Sequence, residues 1–236
     1  NTNQFKSWAE YQKFKEELKN ENSNVAQFEL AADAIVNGDI PALKVLLYDN
    51  PGLIKMRSPR THHSTLLNYV GANGFEGYRQ KTPKNAVEVA DLLLNEGAEI
   101  DAMGDMYRGT TTLGLVATSV HPVITGVQEE LMDILIRHGA DVNHAVAPDY
   151  TEGMLILACL ANGRGEPVEY LALHGAALDL EGAGGVGALE KVKSYFNGDG
   201  SLIDPSLANK LDKAFIWACL YGRTNVFEYM LSTGID

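Results

Sequence analysis

Apolar positions recur along this chain in short helical stripes, each closed by a residue that tolerates a left-handed backbone. LLLNEGAEID (92–101), ILIRHGADVN (134–143), YLALHGAALD (170–179) and YMLSTGID (229–236) end alike. Glycine suits such an ending because it adopts the left-handed cap without a Cβ clash. VLLYDNPGLI (45–54) has the same ending with Asn50 in the glycine's place, asparagine being the second choice for that backbone. Upstream of most endings lies a shorter apolar stretch closing on a turn glycine: AIVNG, YVGANG, ACLANG and ACLYG. The pattern predicts pairs of helices with a tight turn inside each pair.

The spacing is regular. Gly38 to Asn50, Gly163 to Gly175, Gly187 to Asp199 and Gly222 to Gly234 are each 12 residues. From a helix end to the next turn, Asn50 to Gly74, Gly97 to Val120, Gly139 to Gly163 and Asp199 to Gly222 run 23 or 24 residues. Gly175 to Gly187 is short at 12, so that unit has lost its connecting extension. Six units result, spanning about 25–58, 59–104, 105–146, 147–179, 180–203 and 204–236. Residues 1–24 precede them, with Phe5, Trp8, Tyr11, Phe14 and Leu18 on one helical stripe, and predict an amphipathic helix capping the first unit.

A helix–turn–helix plus extension of this length, ending in G-A-x-(V/I/L)-(D/N), resembles the ankyrin repeat over about residues 25–236. ILIRHGADVN carries the likeness best. The family's opening T-P-L-H-x-A is degraded to TLLNYV (65–70), TTLGLV (111–116), MLILAC (154–159) and AFIWAC (214–219). The resemblance implies an all-α solenoid of about six helix–turn–helix units with short β-hairpin fingers. No unit could bury its own apolar face, and stacking would supply the core. It also implies that targets are held by finger tips, by the first turn of the inner helix and by the helix–helix loop. His62 and His63, Tyr107 and Arg108, Tyr150 and Glu152, Arg164 and Arg223 fall at such places.

Charge sharpens the picture. With 19 Lys+Arg against 31 Asp+Glu the 236-residue chain carries −12, which argues against nucleic acid or an anionic membrane as partner. No apolar run reaches bilayer-spanning length. Residues 55–84 are the exception, with Lys55, Arg57, Arg60, Arg79, Lys81 and Lys84 against Glu76 alone, a local +5. Two insertions fall in this part of the chain. Gly74 to Gly97 exceeds the repeat spacing by 11 residues and Val120 to Gly139 by 7. The extra segments, about 75–85 and 121–128, lie between the paired helices of adjacent units and are expected to meet. Irregular segments on a regular scaffold are candidates for binding.

Constellations for other chemistry are incomplete. GAGGVG (182–187) matches G-x-G-x-x-G, but its neighbours are helix pairs rather than a βαβ unit, so the small residues read as close packing. NGDGSLID (197–204) lacks the glycine and closing glutamate of a calcium loop. The histidines have no partners at zinc spacing. Cys159 and Cys219 both sit in apolar helical surroundings and read as buried small hydrophobes. No metal or cofactor is expected.

The expectation is therefore a non-enzymatic, cytoplasmic, monomeric module that binds a partner protein in a groove shaped by the insertions. Its contact residues would be Arg60, His62, His63, Tyr78, Arg79, Gln80, Lys81, Tyr107, Arg108, His121, Tyr150 and Arg164. Tyr78 and Arg79 are expected to contribute little to stability. Two alternatives stand beside it. One is a small-ligand or enzyme site in the same cleft built on His63, His121, Tyr78 and Arg79. The other is a neutraliser whose acidic surface covers a basic protein.

Overall fold

The computed structural model describes residues 4–143 and 154–234. The chain divides into two compact units, Asn1–Ala147 and Pro148–Asp236. Both are mostly helical, with no β-strand among the described residues. Pairing is limited there to two isolated antiparallel bridges, Gly104 with Thr110 and Phe196 with Leu202.

In the first unit the helices are α1 (Trp8–Leu18), α2 (Asn24–Asn37), α3 (Ile40–Asp49), α4 (Ala86–Asn95), α5 (Thr112–Thr118), α6 (His121–Thr125) and α7 (Gln128–Arg137). Short 3-10 turns cover Pro51–Lys55, Leu67–Gly71, Gly77–Arg79 and Met106–Arg108. Side-chain caps start the long helices. Ser7 Oγ accepts from Glu10 N–H at 3.2 Å and Ser23 Oγ from Ala26 N–H at 3.0 Å, each satisfying a donor the helix itself cannot. The amphipathic stripe of 1–24 forms α1, whose Phe14 packs with Phe5 onto Val25 at the start of α2. Phe28, Ala31, Ala32 and Ile35 make the buried face of α2.

The second unit holds α8 (Met154–Ala161), α9 (Gly165–Leu173), α10 (Leu180–Val186), α11 (Leu189–Lys193), α12 (Ala208–Leu220) and α13 (Thr224–Ser232). Its core joins Leu180, Ala183, Val192, Leu211, Ala214 and Met230. GAGGVG lies in and just after α10, where its lack of side chains lets helices touch. A Cβ at Gly184 would stand 2.6 Å from both the Cβ and the carbonyl oxygen of Ala214, and one at Gly185 2.4 Å from Leu160.

The helices fall close to the repeat spacing, with the sharpest departure in the second unit of the repeat count, where the short turn Leu67–Gly71 stands in for a first helix. Gly97, Gly139, Gly175 and Gly234 follow their helices with φ between 88° and 93°. Two expectations need correction. Asn50 is not left-handed (φ −139°), because its side-chain NH₂ is drawn to Asn24 Oδ1 and Gln27 Oε1 at 2.9 and 2.8 Å. Cys159 is buried and its thiol pushed up to about 12 by desolvation, whereas Cys219 is exposed.

Overpacking a helix contact costs about 1–3 kcal/mol. Gly184→Ala should therefore destabilise the second unit by that order, read as a lower urea midpoint. Gly198→Ala, with no atom within 4 Å of the added carbon, should leave it unchanged.

Candidate functional site

The two inserted segments do meet: Thr125 Oγ1 donates to the carbonyl of Thr82 at 3.0 Å. The second is α6 rather than a loop, with Pro122 in its first turn and Gly126 left-handed at its end. The first is a strap over α2. Lys81 Nζ donates to Asn37 Oδ1 at 2.5 Å and Asn85 Nδ2 to the Gly38 carbonyl at 2.9 Å. Gly38 is the turn residue there (φ 71°). A Cβ on it would meet Pro83 at 2.9 Å, so the strap requires glycine.

The centre of the strap is ionic and buried. Arg79 is 1% exposed. Its Nη1 donates to Glu29 Oε2 at 2.8 Å, its Nη2 to the Glu29 carbonyl at 3.0 Å and its Nε to Asp33 Oδ1 at 2.7 Å. Arg60 reaches the same Glu29 oxygen through Nη2 at 2.7 Å, and its Nε lies 2.6 Å from Glu76 Oε1. Two arginines thus face Glu29, Glu76 and the half-exposed Asp33. Phe14 covers the Arg60 guanidinium at 4.7 Å, a cation–π contact that shields it from water.

His62 completes the cluster. The Ser64 N–H donates to its Nδ1 at 3.2 Å, so the ring proton sits on Nε2, facing Glu76 Oε1 at 3.4 Å. The ring stands edge-on to Tyr69 and Phe75, which stack on each other at 4.3 Å. Burial alone would raise the Glu76 pKa. The hydrogen bond from His62 and the charges of Arg60 and Arg79 outweigh it and hold the carboxyl down to about 2. Burial, with Glu76 and Glu29 nearby, pushes the Tyr69 hydroxyl in the opposite direction, upward.

These contacts correct the expected contact surface. Arg60, His62 and Arg79 point inward and are consumed by internal partners, so a docking protein cannot reach them. Gln80 is half-buried and donates to the Phe75 carbonyl at 2.8 Å. Lys81 is exposed at the strap's edge, tied to Asn37 as above. Tyr78 is 64% exposed, with Arg79 beneath its ring at 5.2 Å. The local +5 shrinks accordingly, because Glu29 and Asp33 neutralise it from outside the 55–84 window.

A second group gathers at the loop tips before the strap and before α5. His63 Nδ1 lies 2.6 Å from Asp105 Oδ2, the Asp105 N–H donates to the His62 carbonyl at 2.7 Å, and Arg57 Nη1 spans the carbonyls of His63 and Met103 at 2.9 and 2.5 Å. Tyr107 Oη donates to Asn73 Oδ1 at 2.8 Å. Tyr107 and Arg108 are exposed and stand at φ 52° and 70°, and His63 at 42°. Such backbones cost side-chain-bearing residues on the order of 1–2 kcal/mol each. Buried Met106, whose sulfur accepts from Ser64 Oγ at 3.1 Å, anchors the tip from below.

His121 is half-buried at the start of α6, and Arg164 is half-buried before α9 in the other unit. Tyr150 and Glu152 lie outside the described residues. Among the described residues no hydrogen bond joins His63, His121, Tyr78 and Arg79, and no cluster of three metal-ligating side chains occurs. No helix there is long and apolar enough to cross a membrane. Sequence reasoning missed Glu29, Asp33, Glu76, Asp105 and Asn73. Glu29 carried a signal, as a carboxylate inside the apolar run FELAADAIV. No protein-family model matches the chain, and no curated protein matches it significantly.

Removing one partner of a buried ion pair costs about 3–5 kcal/mol, because the other is left charged and dry. Arg79→Ala should destabilise the first unit by that order. Tyr78→Ala should stay within about 1 kcal/mol, both read by chemical denaturation.

Proposed function

We propose that this chain is an ankyrin-type repeat protein that binds another protein through the loop tips of its first unit and catalyses no reaction. The helix packing supports the repeat reading. In the first unit α2, the turn Leu67–Gly71 and α5 pack in succession, and α4 packs on α7. In the second, α8, α10 and α12 pack in succession and α11 packs on α13. First helices meet first helices and second helices meet second, as stacked repeats require. The isolated bridge Gly104–Thr110 at the base of the Tyr107 tip fits a short finger. The unpaired cysteines Cys159 and Cys219 fit a cytoplasmic protein.

The observation that carries the binding role is Arg108. It is exposed, adopts a backbone that favours glycine, and makes no hydrogen bond or ion pair among the described residues. Glycine there would fold better, so the arginine serves something outside the fold. Tyr107 beside it supplies the other residue type that anchors protein interfaces. Asp105, His63 and Arg57 hold the tip in one conformation, which limits the ordering cost on binding.

Arg108→Gly should stabilise the first unit by about 0.5–1 kcal/mol, the relieved backbone strain less the extra freedom of unfolded glycine. It should also lose the protein that the wild type captures from its source lysate, as identified by mass spectrometry. An identical captured set from both proteins, or a variant no more stable than the wild type, contradicts this reading.

A further inference from the structure

The chain holds four asparagines that stand directly before glycine: Asn37, Asn73, Asn162 and Asn197. Such a pair is open to attack on itself, because glycine has no Cβ to keep its backbone nitrogen from the side-chain carbonyl carbon of the asparagine. The reaction needs that nitrogen to give up its proton and the carboxamide to swing over and meet it. The fold treats the four pairs differently.

Three are held. The Gly38 N–H donates to the Ile35 carbonyl and the Gly163 N–H to that of Leu160, each at 3.1 Å. Their asparagines are tied as well: Asn37 Nδ2 donates to the Asp33 carbonyl at 2.8 Å and Asn162 Nδ2 to that of Ala158 at 2.7 Å. Asn73 is pinned at both ends of its carboxamide, Nδ2 donating to Thr118 Oγ1 at 3.2 Å and Oδ1 accepting from Tyr107 Oη at 2.8 Å. Its neighbour Gly74 is crowded, since a Cβ there would stand 2.6 Å from Met106.

Asn197 is different. It is exposed in the segment between α11 and α12, and neither the Gly198 N–H nor Asn197 Oδ1 makes a hydrogen bond among the described residues. The space around Gly198 is open, with no atom within 4 Å of an added Cβ. Of the carboxamide, Nδ2 alone is engaged, donating to Ser201 Oγ at 3.0 Å and to the Leu202 carbonyl at 3.4 Å. With the Asn197 N–H on the Ser201 carbonyl at 2.8 Å, these bonds close the turn under the bridge between Phe196 and Leu202.

We propose that Asn197 converts spontaneously to isoaspartate and aspartate, and that the conversion unties this turn. The Gly198 nitrogen loses its proton to a solvent base and bonds to Asn197 Cγ. The Cγ–Nδ2 bond breaks, and Nδ2 takes up a solvent proton and leaves as ammonia. Water then opens the cyclic imide at either carbonyl, giving aspartate or, with the backbone rerouted through the side chain, isoaspartate. Either product loses the Nδ2 donor to Ser201 and Leu202 and adds a negative charge two residues from Asp199. The site lies in the second unit and does not depend on the loop tips.

The test ages the whole chain in mildly alkaline buffer and follows each pair by peptide mapping and mass spectrometry. Freeing a held N–H or carboxamide costs about the net worth of one hydrogen bond, so Asn197 should lose its amide about tenfold faster than Asn37, Asn73 or Asn162. In concentrated guanidinium chloride the four rates should converge, because the unfolded pairs share one environment. Gly198→Ala, at a position no atom crowds, should slow the loss at residue 197 several-fold. Hydrogen exchange at the N–H of residue 197 and of Ile203, which donates to the Tyr195 carbonyl at 2.9 Å, should quicken in the aged chain and not in aged Gly198→Ala. Equal amide loss at the four pairs of the folded chain would overturn the proposal. So would a preference for Asn197 that persists undiminished in denaturant, or exchange that stays unchanged once the amide is lost.

Discussion

A carboxylate buried in the middle of α2 governs the first unit. Glu29 sits on a helix face otherwise made of Phe28, Ala32 and Val36, and is 7% exposed. A lone charge in such a place costs several kcal/mol, so the fold must bring it a cation. It brings two. Arg60 arrives from the loop before the turn Leu67–Gly71, and Arg79 from the inserted strap 50 residues along the chain. Arg79 can reach Glu29 only if the strap crosses α2, which in turn sets Lys81 beside Asn37 and Pro83 against Gly38. The path of the inserted segment is thus tied to one buried charge.

This arrangement need not be the most stable filling of that space, since well-packed apolar residues often do as well as a buried ion pair. Its effect is geometric. The rigid planar guanidinium of Arg79 spreads its donors over three acceptors, Glu29 Oε2, the Glu29 carbonyl and Asp33 Oδ1, and such contacts tolerate little sliding. They hold the strap in one register, and Thr82 in the strap then fixes α6 through Thr125. The aromatic wall of Phe14, Tyr69 and Phe75 keeps water from the pairs and strengthens each of them.

Much of this was legible in the residues, and the rest failed for a physical reason. Glycine spacing located the helix pairs because a left-handed cap is a strong local demand, met at Gly97, Gly139, Gly175 and Gly234. The aromatic stripe of residues 1–18 announced α1 for the same local reason. Arg60, His62 and Arg79 were misjudged as surface because their partners Glu29 and Asp33 are remote in sequence. A window of charge cannot see a neutralising carboxylate that folding brings in from outside. Asn50 went to two polar side chains instead of the left-handed region, again a tertiary contact overriding a local preference. The loop tip ran the other way: Tyr107 and Arg108 were expected at a contact surface, but nothing in the sequence revealed their strained backbone.

The molecule separates its duties accordingly. Charges that looked free hold the scaffold, whereas Arg108, exposed at a loop tip, makes no hydrogen bond or ion pair among the described residues. The claim beneath this division is that Glu29 and Arg79 act as one unit. A double-mutant cycle with Glu29→Gln and Arg79→Met, measured by urea unfolding, tests it most directly. A coupling of about 2–3 kcal/mol, with the double variant losing far less than the two single losses added together, is the predicted result. Additive losses would contradict the account and leave the strap held by its other contacts.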